Sequence, residues 1–222
     1  MNIFRRVVVF FSLIVYVLVF ALVLTGLVTD YWISSSSLER NGKTLSSSFV
    51  HGGLFYGERQ LDWGLGPSHQ YFSVYDEITQ KVGFMNKILW ILIIFFIALG
   101  LFWSFIGLMI SLLNTVAKER KTILGPSGIY LWSLLSVCSY SAAIFIFLLQ
   151  YYSTIQKNVL LPDQLTAGFS STNRTQLAFS FYLIVSAIGS LFIPMSLLCL
   201  SNSMQQRPKT KTIPMDTTVF MY

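Results

Sequence analysis

Few side chains in this sequence are suited to chemistry, and their spacing sets what is expected of them. His51 and His69 fall in one polar segment, with no cysteine nearby and no acidic residue at metal-ligand spacing. They read as sheet or surface histidines rather than a metal centre. Glu58 and Asp62 lie four apart in the stretch "GGLFYGERQLDWGLG". They read as solvated loop carboxylates, with a cation-attracting rim as the alternative. Of the two cysteines, Cys138 sits midway along an apolar run and reads as a small packing residue. Cys199 lies at the end of another run and is a candidate for palmitoylation. The tripeptide "NRT", Asn173 to Thr175, fits the acceptor for an N-linked glycan. No phosphate-binding loop, ligand pair or nucleophile–base arrangement stands out, so no catalytic, cofactor or metal site is expected.

The elements that must hold these residues are mostly apolar. Of 222 residues, 54% are hydrophobic and 11% charged, against about 25% charged in an ordinary soluble domain. Four uncharged runs cover about 7–28, 88–113, 129–149 and 177–200. Each reaches the roughly 20 residues that a helix needs to cross the hydrocarbon core, and helices satisfy their own backbone there. Arg5 and Arg6 before the first run suggest a secretory leader as the alternative. That run, however, exceeds the about 7–15 apolar residues of a leader and lacks a small-residue cleavage site. The fold class expected is therefore an all-α four-helix transmembrane bundle, residues 1–222 forming one membrane domain.

The net charge of +6 fits orientation in a bilayer better than nucleic acid, because no basic patch is interleaved with aromatic residues. Eight Lys and Arg residues stand in the 43 residues of the two termini and the short middle loop: Arg5, Arg6, Lys118, Arg120, Lys121, Arg207, Lys209 and Lys211. The loops 29–87 and 150–176 hold seven in 86 residues. The positive-inside rule then puts both termini in the cytoplasm and both longer loops outside. Tyr31, Trp32, Tyr151 and Tyr152 fall where an aromatic belt at the outer interface is expected.

The large outer loop carries β-type patterning in "DYWISSSS", "KTLSSSFVHGGLFYG" and "HQYFSVYD". A small antiparallel sheet is expected there, followed by a helix that Asp76 caps. Small residues form stripes on the spans: Gly100, Ser104, Gly107 and Ser111 on the second, Ser12 to Gly26 on the first, Ser186 and Ser190 on the fourth. They suit close packing within the bundle, with a homo-oligomer face as the alternative. The tail 201–222 ends in Phe220-Met221-Tyr222, whose carboxyl terminus fits strand addition to a PDZ groove.

Four spans, Trp32 soon after the first, and Gly53-Leu54-Phe55 in a β-rich outer loop resemble the claudin superfamily. The sequence looks more like the clarin family within it. "GLFYGERQLDWGLG" resembles a Gly-Leu-Phe-x-Gly-Cys element followed by Gly-Leu-Gly, carried here by Gly53, Leu54, Phe55, Gly57, Gly64 and Gly66. "GPSGIYLW" resembles a Gly-Pro-x-Gly-x-x-x-Trp entry to the third span, carried by Gly125, Pro126, Gly128 and Trp132. The resemblance puts the family's two cysteines at Glu58 and Trp63, and their loss is most like the third clarin type. It implies that packing by Trp63, buried against the sheet, replaces a disulfide. The function implied is a non-enzymatic, multi-pass plasma-membrane protein that organises complexes, in sensory cells of hearing and vision for the better-known clarins. A claudin-like junction or paracellular-channel protein and an auxiliary channel subunit are the alternatives. Partners expected are the lipid bilayer and membrane or scaffold proteins, PDZ domains among them.

Overall fold

Long apolar runs become helices because lipid offers the backbone no other partner. In the computed structural model, residues 3–116 and 126–206 are described. Four long helices cross the molecule: α1 (Ile3–Val28), α3 (Lys87–Val116), α4 (Pro126–Gln150) and α6 (Phe179–Gln206). All four are long and apolar enough to cross a membrane. Short helices α2 (Val74–Thr79) and α5 (Pro162–Thr166) lie in the two connections at one end. The last long helix starts at Phe179, because residues 175–177 are drawn into a strand. At its far end α4 passes into a π-helical turn, Tyr151–Ile155.

The bundle is a ring in which α1 packs on α3 and α6, and α4 packs on the same two. Tyr16 of α1 lies over Gly107 of α3, where a Cβ would come within 2.4 Å of its ring. Its hydroxyl donates to the Ile129 carbonyl of α4 at 3.1 Å and pairs with Ser133 at 2.7 Å. One tyrosine thus ties three helices. Tyr140 repeats the device from α4, over Gly100 and against Ser104 at 3.1 Å. Ser111 donates to Val9 at 2.9 Å. The stripes on α1 and α3 therefore serve the bundle interior. The stripe on α6 does not: Ser186 is exposed, and a Cβ at Gly189 would meet nothing within 4 Å. Cys138 also turns outward, so the packing role expected of it is corrected.

At one end the connections fold into two antiparallel sheets. The larger has strand order β6-β5-β4-β1-β8, built from β1 (Ile33–Ser36), β4 (Phe49–Gly52), β5 (Tyr56–Asp62), β6 (Pro67–Ser73) and β8 (Thr175–Leu177). The smaller has order β3-β2-β7, from β2 (Glu39–Arg40), β3 (Lys43–Thr44) and β7 (Phe169–Ser170). Both sheets thus take an edge strand from the second connection, a contribution absent from the sequence reading. Helix α2 is capped by Ser73, whose hydroxyl accepts from Asp76 N; Asp76 lies in the first turn instead of capping it. The belt is also half inverted. Trp32 and Tyr151 are buried, Tyr151 donating to the Thr175 carbonyl at 2.7 Å, while Tyr31 and Tyr152 stay exposed.

Candidate functional site

The glycine-rich stretch forms the joint between bundle and sheet. Trp32, fully buried at the start of β1, donates from Nε1 to the Gly26 carbonyl of α1 at 2.7 Å. Its ring meets Phe147 edge-on at 4.8 Å. The chain leaving β4 then bends at Gly53, where a Cβ would fall 2.7 Å from the Asp30 Cα and from the Thr29 carbonyl. Any side chain there would drive the bend off the end of α1. The bend carries Leu54 into full burial, and its carbonyl accepts from Trp90 Nε1 of α3 at 2.7 Å. Phe55 lies edge-on to the Trp90 ring at 6.5 Å. Gly57 gives room to Phe72, whose ring would stand 2.4 Å from an added Cβ. The element is an anchor that seats the sheet on α1 and α3.

Strand alternation sorts the rest of β5. Gly57, Arg59 and Leu61 face the protein, and Glu58, Gln60 and Asp62 face away. Arg59 is 1% exposed. Its guanidinium donates to both carboxylate oxygens of Glu77 on α2, the Nη2–Oε2 contact being 2.8 Å. It lies 3.8 Å over the Phe72 ring and 3.5 Å from the Val159 carbonyl of the second connection. One buried charge pair therefore joins sheet, α2 and the second connection.

On the outward face, Glu58 accepts from His69 Nδ1 at 2.7 Å and from His51 Nε2 at 3.1 Å. The hydrogen bond from His69 is the largest influence and holds the Glu58 carboxyl below its ordinary range; burial pushes the other way, and the His51 bond adds to the lowering. His51 Nδ1 faces the Asp30 carbonyl at 3.1 Å, so both its ring nitrogens meet oxygen acceptors. The ring stacks on Tyr31 at 4.2 Å, and Tyr31 in turn on Phe179 at 5.2 Å. Burial pushes the neighbouring Asp30 carboxyl upward, opposed by the charge of His51. Glu58 is thus a shared acceptor on a folded sheet, not a solvated loop carboxylate. The three groups came together through strand register: His51 stands opposite Glu58, and His69 lies two residues along the next strand from Tyr71, the residue opposite Glu58, and so on the same face. Spacing along the chain carried no such signal. As arranged, the cluster ties three strands together.

Trp63 departs from the role expected of it. It is 43% exposed. Its ring meets Phe169 of β7 at 5.0 Å, and Arg40 of β2 lies over both rings. It clips the hairpin tip to the smaller sheet instead of supporting the core. Nor can it pair with position 58. The four steps of extended strand from Glu58 to Asp62 span about 13 Å, beyond the roughly 7 Å that a disulfide bridges. Gly64 and Gly66 shape the tip with φ of +95° and +111°, which glycine tolerates best, and leave Leu65 fully exposed.

The other sequence candidates are dispersed. Pro126 opens α4, Gly128 is buried, and Trp132 stacks on Trp103 of α3 at 5.4 Å. Asn173 is exposed on the turn before β8, with φ +58°. Cys199 is exposed on α6, near the end opposite the sheets. Gly125 and the tail residues Phe220, Met221 and Tyr222 lie outside the described residues.

Comparison with known proteins finds relatives over most of the chain. Human Clarin-3 is 24% identical over 204 residues, covering 89% of this chain and 87% of that protein. Human Clarin-2 is 23% identical over 197 residues, 79% of this chain and 84% of that protein. Rat Clarin-3 is 24% identical over 167 residues, 71% and 69% respectively. The Clarin-2-like family model matches residues 4–160, which include three of the four long helices and the whole glycine-rich joint, and the chain belongs to that clarin family.

Proposed function

We propose that this multi-pass membrane protein is a non-enzymatic organiser of plasma-membrane complexes, with a claudin-like fold and an extracellular sheet as its presenting surface. The observation that carries this reading is the joint. Leu54, Trp32 and Trp90 fix the sheet to the ends of α1 and α3, so the bundle positions the sheet as one body with it. The exposed tyrosines Tyr31, Tyr56 and Tyr71 supply amphipathic contact area on the sheet-bearing end. The setting proposed is a sensory or other epithelial membrane, and the Lys and Arg bias supports both termini being cytoplasmic, with Asn173 on the glycan-accepting side and Cys199 at the inner leaflet. The tail would add Phe220-Met221-Tyr222 to a PDZ groove of a scaffold protein.

The test is affinity capture of the full-length protein from a native epithelium, paired with protease accessibility on intact cells. Tags at residues 1 and 222 are expected to be protected and a tag near Lys43 cleaved. Cleavage of the C-terminal tag, or capture that yields no membrane or scaffold protein, refutes the reading. For the tail, one glycine added after Tyr222 should abolish binding of a ten-residue peptide to its PDZ domain. A claudin-like junction role is favoured by one observation, Leu65 fully exposed at the tip of the β5–β6 hairpin. Strands of the tagged protein confined to cell contacts would select that role.

A further inference from the structure

At the sheet-bearing end, a cleft of about 280 Å³ opens between the segment leading into α3 and the end of α4. Lys81 stands on one wall, and Lys157 on the other together with Ser153 and Thr154. None of the lining residues is acidic, and neither lysine has an ion-pair partner among the described residues. Both hydroxyls already donate to the Gln150 carbonyl, at 3.2 and 3.0 Å, so the two ammonium groups are the cleft's charged donors. Deeper in, Phe84 and Leu160 are buried and apolar.

Both walls are fixed in place. The chain after α2 turns back with Lys81 at φ +59°, and the backbone N–H groups of Val82 and Gly83 both donate to the Glu77 carbonyl at 3.1 Å. The opposite wall begins with the π-helical turn, a feature frequent at functional sites, which carries Ser153 and Thr154. The buried Arg59–Glu77 pair reaches both walls, through α2 on one side and the Val159 carbonyl on the other. The cleft also adjoins two candidate membrane spans, at the ends that would meet the bilayer interface. Ser153 and Thr154 belong to the span Gly128–Ile155, and Lys87, three residues past Phe84, opens the span Lys87–Val116.

We propose that this cleft binds a phosphate-bearing headgroup, its two lysines holding the phosphate oxygens and its apolar floor taking the adjoining carbons. Lysine ammonium groups bind phosphate as point charges, and no carboxylate lines the cleft to compete with an anion for them. A membrane lipid and a free phosphate compound share this chemistry. The position between two spans makes the lipid the expected source.

The test uses the full-length chain in a neutral detergent, with bound molecules counted by native mass spectrometry. The probes are dioleoylphosphatidylglycerol and dioleoylglycerol, which lacks the phosphate. Phosphatidylglycerol should be retained at least about tenfold better, and the double variant Lys81→Gln with Lys157→Gln should lose about tenfold of that retention. Lys81→Arg with Lys157→Arg should keep it, and Lys87→Gln, at the same interface but outside the cleft, should leave it unchanged. Excess glycerol 3-phosphate separates the sources. Displacement shows that the phosphate compound alone suffices, and retention of the lipid shows that its chains are also required; each supports the cleft once the lysine variants behave as stated. Equal retention of the two probes, wild-type retention by the double glutamine variant, or equal loss in Lys87→Gln would overturn it.

Discussion

Replacing Glu77 with alanine would strip the carboxylate from a guanidinium that the fold leaves without another strong partner. Arg59 would keep the face of Phe72 and a long 3.5 Å contact to the Val159 carbonyl, and its Nε has no hydrogen-bond partner among the described residues. Truncating one member of a buried ion pair costs about 3–5 kcal/mol, because the remaining charge stays desolvated. In a chain of this length each kcal/mol moves the melting midpoint by about 2–4 °C, so Glu77→Ala should lower Tm by roughly 6–20 °C. Glu77→Gln keeps an acceptor but loses the charge, and should fall between that variant and wild type. Arg59→Met with Glu77→Leu removes both charges and fills the space with apolar atoms, an exchange that is often neutral or stabilising. It should recover most of the loss. The assay is thermal unfolding of purified protein in detergent by near-ultraviolet circular dichroism, with limited proteolysis to read the sheet end directly. High salt should barely change the difference, since buried pairs are weakly screened. A Glu77→Ala midpoint within about 2 °C of wild type, or a double variant as damaged as the single one, would refute the strut.

Gly107→Ala drives a Cβ into the Tyr16 ring, which also bonds to α4, and should cost about 1–3 kcal/mol by overpacking; Gly189→Ala, facing open space, should be near neutral in the same melting assay. Leu54→Ala should cost about 2–5 kcal/mol at its fully buried site, whereas half-exposed Trp63→Ala should cost less and show first as proteolysis of the hairpin tip. For Glu58, the folded carboxyl titrates below its ordinary value of 4.5, so its stabilising contribution is fully present above that value and is lost as pH falls through the lowered one. The midpoint difference between wild type and Glu58→Gln should therefore shrink as acid protonates the carboxyl; a difference that grows as pH falls below 4.5 would contradict the assignment.

Hydropathy is local, so the four long helices are legible from sequence, and so is the bend at Gly53, where glycine and aromatic residues crowd together. Strand pairing across connections is not local. Nothing in the sequence around Phe169 or Thr175 announces that those residues complete sheets begun more than a hundred positions earlier. The misreading of Trp63 has a different origin. Its size suggested burial, but it follows the last residue of β5, where alternation no longer fixes which way a side chain points. The extended strand between them also argues against a link to Glu58, since it holds the two positions too far apart for a disulfide. Alternation within β5 and the helical period of α2 do carry a signal. Arg59 shares its face with Gly57 and Leu61, and Glu77 shares the buried face of α2 with Val74 and Ile78. Each is a charge standing where the pattern calls for an apolar residue. A lone charge in that position is too costly to keep, so two such positions on neighbouring elements, of opposite sign, point to each other before any coordinates are known.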